Sequence, residues 1–382
     1  MKALVVGSGI AGLAAAVALK RANVSVSVYE RAAEIRELGA ALSVWANGVN
    51  ALHLLGVKGE VLAASASIRR TVALTESGAV LSRTNLEALG RRHGSESVCI
   101  ERGELQRILL HAAGPANVHT GKTCTAIRQT VDSAQASFED GTVAEADFLV
   151  AADGIGSTIR TQLHPESRPR PAGYTAWRAM TPGAFAELHD GTALLILGRG
   201  CQAGIFPCGS QRVYWFATQK AAANPALSPE ARKRWILDKF RRWPTSLPAV
   251  VEATSAEAIL EHDISDLEPL RRWGAGRITL AGDAIHAITP NLGQGAVLAI
   301  EDAVVLGRCV ESHGGDIAAA LRAYERNRQS RTAWAARESR RAGRLLHAES
   351  ATGTKLREWL MSSRPGQWHG ERLLRRLFEF AG

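Results

Sequence analysis

Four short apolar runs, each ended by glycine or an acid, set the pattern of this chain. Lys2–Val6 runs into Gly7-Ser8-Gly9-Ile10-Ala11-Gly12 and an Ala/Leu-rich stretch to about Arg21. Such a switch from continuous apolar residues to helical period predicts strand, turn, helix. Val24–Tyr29 is a second strand, ending at Glu30, 18 residues after the last glycine. Phe148–Ala152 ends at Asp153-Gly154 and continues to Arg160, and Ile278–Ala281 ends at Gly282-Asp283. A loop with Pro290, Gly293 and Gly295 follows the latter, and then another apolar helix opens.

Between these runs the pattern predicts a helix near Asn47–Leu55 after the loop Arg31–Ser43, and strands at Ile68–Thr75 and Ala79–Ser82. Glu101–Gln106 opens a helix reaching His111. Thr123–Thr130 and Ala134–Phe138 lead through the Asp140-Gly141 turn into one strand over Thr142–Val150. Past Pro171 the texture turns to strands: Tyr174–Met180, Ala193–Leu197, Gly204–Pro207 and Arg212–Thr218, then a helix over Pro229–Arg242. The expected fold is α/β: a discontinuous Rossmann-like domain over 1–171 and 269–382, with C-terminal helices from about 315, and a sheet-rich domain inserted at 172–268.

The strand–GxGxxG–helix–strand–acid series has a physical purpose in each part. Gly7 makes the tight turn, Gly9 clears space for a pyrophosphate, and Gly12 lets helix and strand pack closely. Glu30 would accept from the adenosine ribose. The glycines before the last apolar helix would bring backbone N–H groups to a ligand at the positive end of its dipole. No second GxGxxG unit is present for a resident nicotinamide cofactor.

Charge and cysteine narrow the picture further. Residues 321–382 hold fourteen basic against six acidic residues, nearly all of the chain's net +9. Arg alternates there with Ala, Leu and Trp, the pattern of a solvated helical face, with a weak membrane-surface contact through Leu373, Leu374, Leu377 and Phe378 as the other reading. Base-stacking aromatics are sparse, so no nucleic-acid partner is expected. Five cysteines without a CxxC pair fit a reducing cytoplasm. No apolar run is long enough to span a membrane. Neither metal-ligand spacing nor a GxSxG elbow appears.

GSGIAG, FLVAADGIGSTIR and GDAIHAITPNLGQG, in that order and to about residue 330, resemble the single-component FAD-dependent aromatic hydroxylases. The run 39–49 and His262-Asp263-Ile264 are especially similar to bacterial FAD-dependent urate hydroxylases. The resemblance implies that Gly7, Gly9, Ala11 and Gly12 flank the FAD pyrophosphate, with Glu30 on the ribose and Arg31 and Ser43 nearby. Arg102 would reach the phosphate and ribityl region, or else cap a helix turn. Asp153, Gly154 and Arg160 would brace the cofactor's edge, unless Asp153 only caps the next helix. Asp283 would bind the ribityl side, and Gly293, Gln294, Gly295 and Ala296 would present backbone donors to the flavin pyrimidine.

The implied activity uses NADH or NADPH as a visiting reductant and O2 to hydroxylate a small aromatic or heteroaromatic compound, through a flavin C4a-hydroperoxide. An antibiotic-modifying monooxygenase, an epoxidase or a reductase is the alternative on the same fold. Tyr214 matches a substrate-site tyrosine of the urate hydroxylases, or is a sheet tyrosine with its hydroxyl at the surface. Gln202 stands where that family carries a substrate-binding arginine, which puts urate in doubt. Arg178 would supply a cation from a neighbouring strand, or form an ion pair at the surface or between domains. Pro290 would act through its carbonyl and rigid turn, His286 would be structural, and Trp45 and Phe206 are candidate pocket walls. A monomer or homodimer is expected.

Overall fold

A computed structural model describes residues 1–35, 40–220 and 227–380. Its centre is a five-stranded parallel sheet in the order Ile278–Leu280, Phe148–Ala151, Lys2–Val6, Ser25–Tyr29, Val118–His119. The four apolar runs are therefore adjacent parallel strands: Val6 is level with Tyr29 and with Ala151, and Ala151 with Leu280. Their carboxyl ends, each followed by the glycine or acid of its motif, come out along one edge of the sheet. The chain leaves Lys2–Val6 towards Ser25–Tyr29 on one side, while Phe148–Ala151 lies on the other, which opens a crevice at that edge.

Helix Ile10–Arg21 covers the sheet and packs against the 18-residue helix Gly295–Ser312. Both are buried for most of their length, which explains their near-continuous apolar sequence. The run predicted as one strand over 142–150 divides instead. Val143–Ala146 closes an antiparallel hairpin with Ala134–Phe138, and Phe148–Ala151 joins the central sheet. Asp147 is the joint: its carboxylate accepts from the Lys2 N–H at 2.7 Å and its own N–H donates to the Lys2 carbonyl.

The second large layer is a seven-stranded sheet: Leu260–Asp266, Arg170–Pro182, Arg212–Lys220, Cys201–Cys208, Thr192–Leu197, Arg70–Thr75, Val80–Asn85. Two of its strands come from residues 70–85, so the sheet extends beyond the segment 172–268. Thr192–Leu197 pairs parallel with Arg70–Thr75, a long-range crossover that local pattern cannot reveal. One face buries Trp177, Trp215 and Ile205 against helices Pro229–Phe240 and Leu247–Glu252. The other carries Met180, Phe206, Tyr214 and Phe216, in one apolar cluster with Trp45 and Leu292. That second face therefore looks towards the loops of the parallel sheet.

The C-terminal helices are Ile317–Leu346, Ala351–Ser362 and Arg364–Phe378. They correct the reading of the basic tail in two ways. Its arginines are not simply a solvated face, because Arg328 and Arg357 are buried and Arg331 and Arg340 pair with Glu301 and Asp266. Leu377 and Phe378 are also buried, with the Phe378 ring 6.3 Å from Trp45, so neither is available to a membrane surface. No helix of the described residues is long and apolar enough to cross a membrane.

Candidate functional site

The dinucleotide turn is built from close backbone contact. Gly7 has φ +103°, and a Cβ there would sit 2.4 Å from the Ala152 carbonyl; one on Gly12 would sit 1.9 Å from the Gly7 carbonyl. Gly9 faces open space and precedes helix Ile10–Arg21 without a side-chain cap, so the first N–H groups of that helix remain available to an anion. Glu30 accepts from the Ser8 N–H at 2.8 Å and the Ala32 N–H at 2.9 Å, which holds its carboxylate beside the turn. Gln106 pins the same turn through the Ser8 carbonyl at 2.9 Å. Ala11 lies where a side chain on Gly282 would strike it, at 2.6 Å. Arg31 is exposed, and Ser43 is half-buried on the strand Ala41–Val44. Gly39, which opens the run 39–49, lies outside the described residues.

Arg102 begins helix Arg102–Ala113 with its side chain exposed. Its charge reaches Asp283 and His262 across the crevice. Asp283 follows Gly282, whose φ of +58° turns the chain sharply after the strand. The carboxylate is crowded by protein but still open to solvent, as befits a group lining a cleft. Crowding raises its pKa, while His286 and Arg102 pull in the opposite direction. Asp153 accepts from the Thr158 N–H at 2.9 Å, so it caps helix Thr158–Leu163. Its other oxygen is buried without a partner, and burial raises its pKa. Gly154 turns the chain at φ +81°. Arg160 is buried and donates to the carbonyls of Ala284, at 2.9 Å, and Ile155, at 2.6 Å, which ties two of the motifs together.

The loop 289–295 crosses between the two sheets. Pro290 starts a short 3-10 turn, and its carbonyl accepts from the Gly293 N–H at 2.9 Å. Gly293 is left-handed at φ +61°, and Trp45 donates to the neighbouring Leu292 carbonyl at 3.0 Å. Gln294 then opens the buried helix Gly295–Ser312 with no side-chain cap. The N–H groups of Gly295 and Ala296 begin that helix and have no acceptor within it. Asn291 fastens the loop to the second sheet: it donates to the Tyr174 hydroxyl at 2.9 Å and accepts from the Gln202 amide at 3.3 Å.

Strand alternation places Arg178, Gln202, Phe206, Tyr214 and Phe216 on the face that looks at this loop. Arg178 lies opposite Phe216, and Tyr214 opposite both Met180 and Phe206. The Arg178 Nε is buried with no hydrogen-bond partner, and among the described residues no carboxylate pairs with the guanidinium. Burial pushes the Tyr214 phenol well above its ordinary pKa, and Arg178 opposes the shift only in part. Burial together with Arg178 and Arg102 depresses His262, which projects from the same face opposite Ala176.

A buried charge cluster lies behind the Gly282 turn and the helix Gly295–Ser312, and the sequence patterns did not single it out. Asp302 accepts from the Gly282 N–H at 3.0 Å, from His286 at 2.5 Å and from Arg328 at 2.7 Å. Glu301 accepts from Arg331, Arg328 and Asn47. His286 is thus held in the core by Asp302 and packed against Trp273 at 5.4 Å. Adjacent acids inside an apolar helix were the available signal, because Asp and Glu are rarely buried without partners.

Residues 1–339 match the family described as FAD binding domain. The chain belongs to the FAD-dependent aromatic hydroxylase family. The aurachin C monooxygenase/isomerase of Stigmatella aurantiaca is 36% identical over 358 residues, which cover 94% of this chain and 93% of that protein. A FAD-dependent urate hydroxylase of Klebsiella pneumoniae is 34% identical over 377 residues, covering 98% and 97%. The crystal structure of Klebsiella pneumoniae HpxO with FAD and uric acid matches at a TM-score of 0.93 and 31% identity, covering 100% of this chain and 98% of that one. As a member of this family the chain is a FAD-dependent monooxygenase of aromatic or heteroaromatic compounds. Its residues fit the cofactor: Gly9 leaves space, two helix starts offer free N–H groups, and Gln294 carries a buried amide nitrogen with no partner.

Proposed function

We propose that this hydroxylase takes its electrons from NADH or NADPH and inserts one atom of O2 into a small aromatic ring bearing an ionisable hydroxyl or enol. Bound FAD would accept the hydride and activate oxygen. Gly7, Gly9, Gly12 and Glu30 would hold its adenosine half, with Ala11, Arg31, Ser43 and Arg102 around the phosphates. Asp283 would hold the ribityl side, and Gly293, Gln294, Gly295 and Ala296 the pyrimidine end. The helix start there favours the negative charge of a reduced flavin. Asp153, Gly154 and Arg160 would brace the edge where the reductant approaches. In this division 1–171 with 269–382 forms the cofactor domain and 172–268 supplies most of the substrate domain.

The observation that carries the reading is Arg178: a partly buried guanidinium with no carboxylate partner among the described residues, on a face it shares with Phe206, Tyr214 and Phe216, opposite the loop 289–295. A buried cation without a partner is costly, and an anionic substrate oxygen would offset that cost. Tyr214 would then donate a hydrogen bond to the ring's polar edge, since its raised pKa keeps the phenol protonated. Gln202 supplies no charge and is engaged with Asn291, which argues against urate as the preferred ring. Pro290, through its carbonyl and rigid turn, would border the reacting carbon. Phe206, Phe216 and Trp45 would exclude water, which otherwise diverts the activated oxygen to peroxide.

The test is NAD(P)H oxidation followed with oxygen uptake and peroxide across phenols, hydroxybenzoates, urate and related heterocycles. One compound that accelerates flavin reduction with little peroxide supports the reading. Peroxide equal to every NAD(P)H consumed, whatever compound is added, counts against it.

A further inference from the structure

Hydrogen-bond polarity runs in one direction from Glu301 to the loop that meets the flavin. Glu301 is fully buried and its carboxylate accepts from Arg331, at 2.6 and 2.7 Å, and pairs with Arg328 at 2.9 Å. A carboxylate only accepts, so the side chain facing it at 2.8 Å must be the NH2 of Asn47 rather than its carbonyl. The same Asn47 nitrogen lies 3.0 Å from Gln294, so the atom of Gln294 that faces it must be the carbonyl oxygen. Gln294 Nε2 is then turned away from Asn47. It is buried, belongs to a residue with no exposed surface, and has no acceptor. Gln294 also stands at the start of helix Gly295–Ser312, where the backbone donors gather.

We propose that Asn47, oriented by Glu301, is a positioning residue that turns the Gln294 amide so that Nε2 donates to an acceptor atom of bound FAD. This rests on the assignment of that helix start to the cofactor. A buried NH2 without an acceptor carries a desolvation cost, and an acceptor edge on the cofactor relieves it. Gln294 is already assigned a backbone donor; the relay adds a side-chain donor whose direction is set two hydrogen bonds away, by Glu301.

The experiment titrates apoprotein with FAD, following flavin fluorescence, and records the flavin absorption bands, in wild type, Asn47→Leu, Gln294→Leu and the double variant. Each single change is expected to weaken FAD about tenfold and to move the bands in the same direction. The double variant should be no weaker than either single one, because both remove the same bond. An additive hundredfold loss in the double variant, or wild-type affinity and bands in Gln294→Leu, overturns the relay. If Asn47→Leu does not fold, Gln294→Glu decides the matter, since it keeps an oxygen for Asn47 while replacing the donor. Wild-type affinity in that variant overturns the proposal, and loss of affinity in folded protein supports it. Failure of wild-type apoprotein to bind FAD would sink the cofactor assignment itself, an outcome distinct from either.

Discussion

The two sides of the crevice are built on different principles. The side proposed to hold the cofactor is backbone held by charge: glycine turns that admit no Cβ, helix starts, and a loop fastened by Asp302, Glu301, Arg328 and Arg331. The sheet side is side chains on a flat face, mostly aromatic, with Arg178 lacking a partner among the described residues and Gln202 held by one long bond. Backbone geometry recognises what never changes, a dinucleotide. Side chains on a regular sheet can be exchanged without disturbing the fold, which suits a family whose members differ in the ring they oxidise.

The largest effect should come from the charged support. Asp302→Ala takes from Arg328 one of its two buried carboxylates, leaves His286 in the core without its acceptor and frees the Gly282 N–H. A loss of about 3–5 kcal/mol in unfolding free energy is expected, with FAD retention falling alongside. Burial works against ionisation of Asp302, but His286 and Arg328 outweigh it and hold the carboxylate below its ordinary range. Its folded pKa is therefore lower than its unfolded one. The stability it contributes is present above the unfolded value and is lost as pH falls through the folded one. Denaturant melts from pH 7 down to pH 3 should show a shallower acid decline in Asp302→Ala than in wild type. Equal slopes would mean the pair contributes little.

Asp283→Ala comes next and acts on the cofactor alone. No hydrogen bond of the fold depends on that carboxylate among the described contacts, so the protein should fold with near wild-type stability. FAD binding should weaken by about 2 kcal/mol, on the scale of a charge-assisted hydrogen bond. Full yellow holoenzyme after gel filtration of the variant would count against the assignment.

Arg178→Met crosses to the sheet side and should reverse the phenotype. FAD content should stay normal, while the substrate concentration needed to stimulate NAD(P)H oxidation rises roughly tenfold to thirtyfold, about 1.5–2 kcal/mol of lost charge pairing. Weakened FAD with unchanged substrate response would show that the guanidinium serves the cofactor instead.

The cofactor side was also the more legible of the two. Strand Lys2–Val6, the Gly turn and helix Ile10–Arg21 were readable because each signal is local, and three motifs far apart in sequence converge because their strands are neighbours in one parallel sheet. The split at Asp147 leaves no local trace because two strands in different sheets follow one another with a single residue between them. Recruitment of Arg70–Thr75 beside Thr192–Leu197 spans more than a hundred residues and leaves no local trace. The Asp302 cluster was hidden for the same reason: its partners lie at Gly282, His286 and Arg328, and none of those spacings advertises contact. The basic tail misled because arginine that pairs with buried acids looks, in sequence, like arginine facing water.

Tyr214→Phe should have the smallest effect, and its value lies in the shape of the response. Burial raises the phenol well above its ordinary pKa; Arg178 pulls it back in part, and the Cys99 and Cys208 thiols push it further up. That direction keeps the hydroxyl protonated around neutral pH, where it would donate a hydrogen bond to the substrate rather than act as the base that ionises it. Removing it should cost about 1 kcal/mol, roughly fivefold in substrate-stimulated reduction. The pH profile between 6 and 9 should keep its shape, because no group titrating in that window has been removed. A profile that loses its alkaline or acid limb in Tyr214→Phe would make the tyrosine a proton-transfer group. The sheet face would then hold chemistry as well as fit, and the contrast between a fixed cofactor side and an exchangeable substrate side would have to be redrawn around that one hydroxyl.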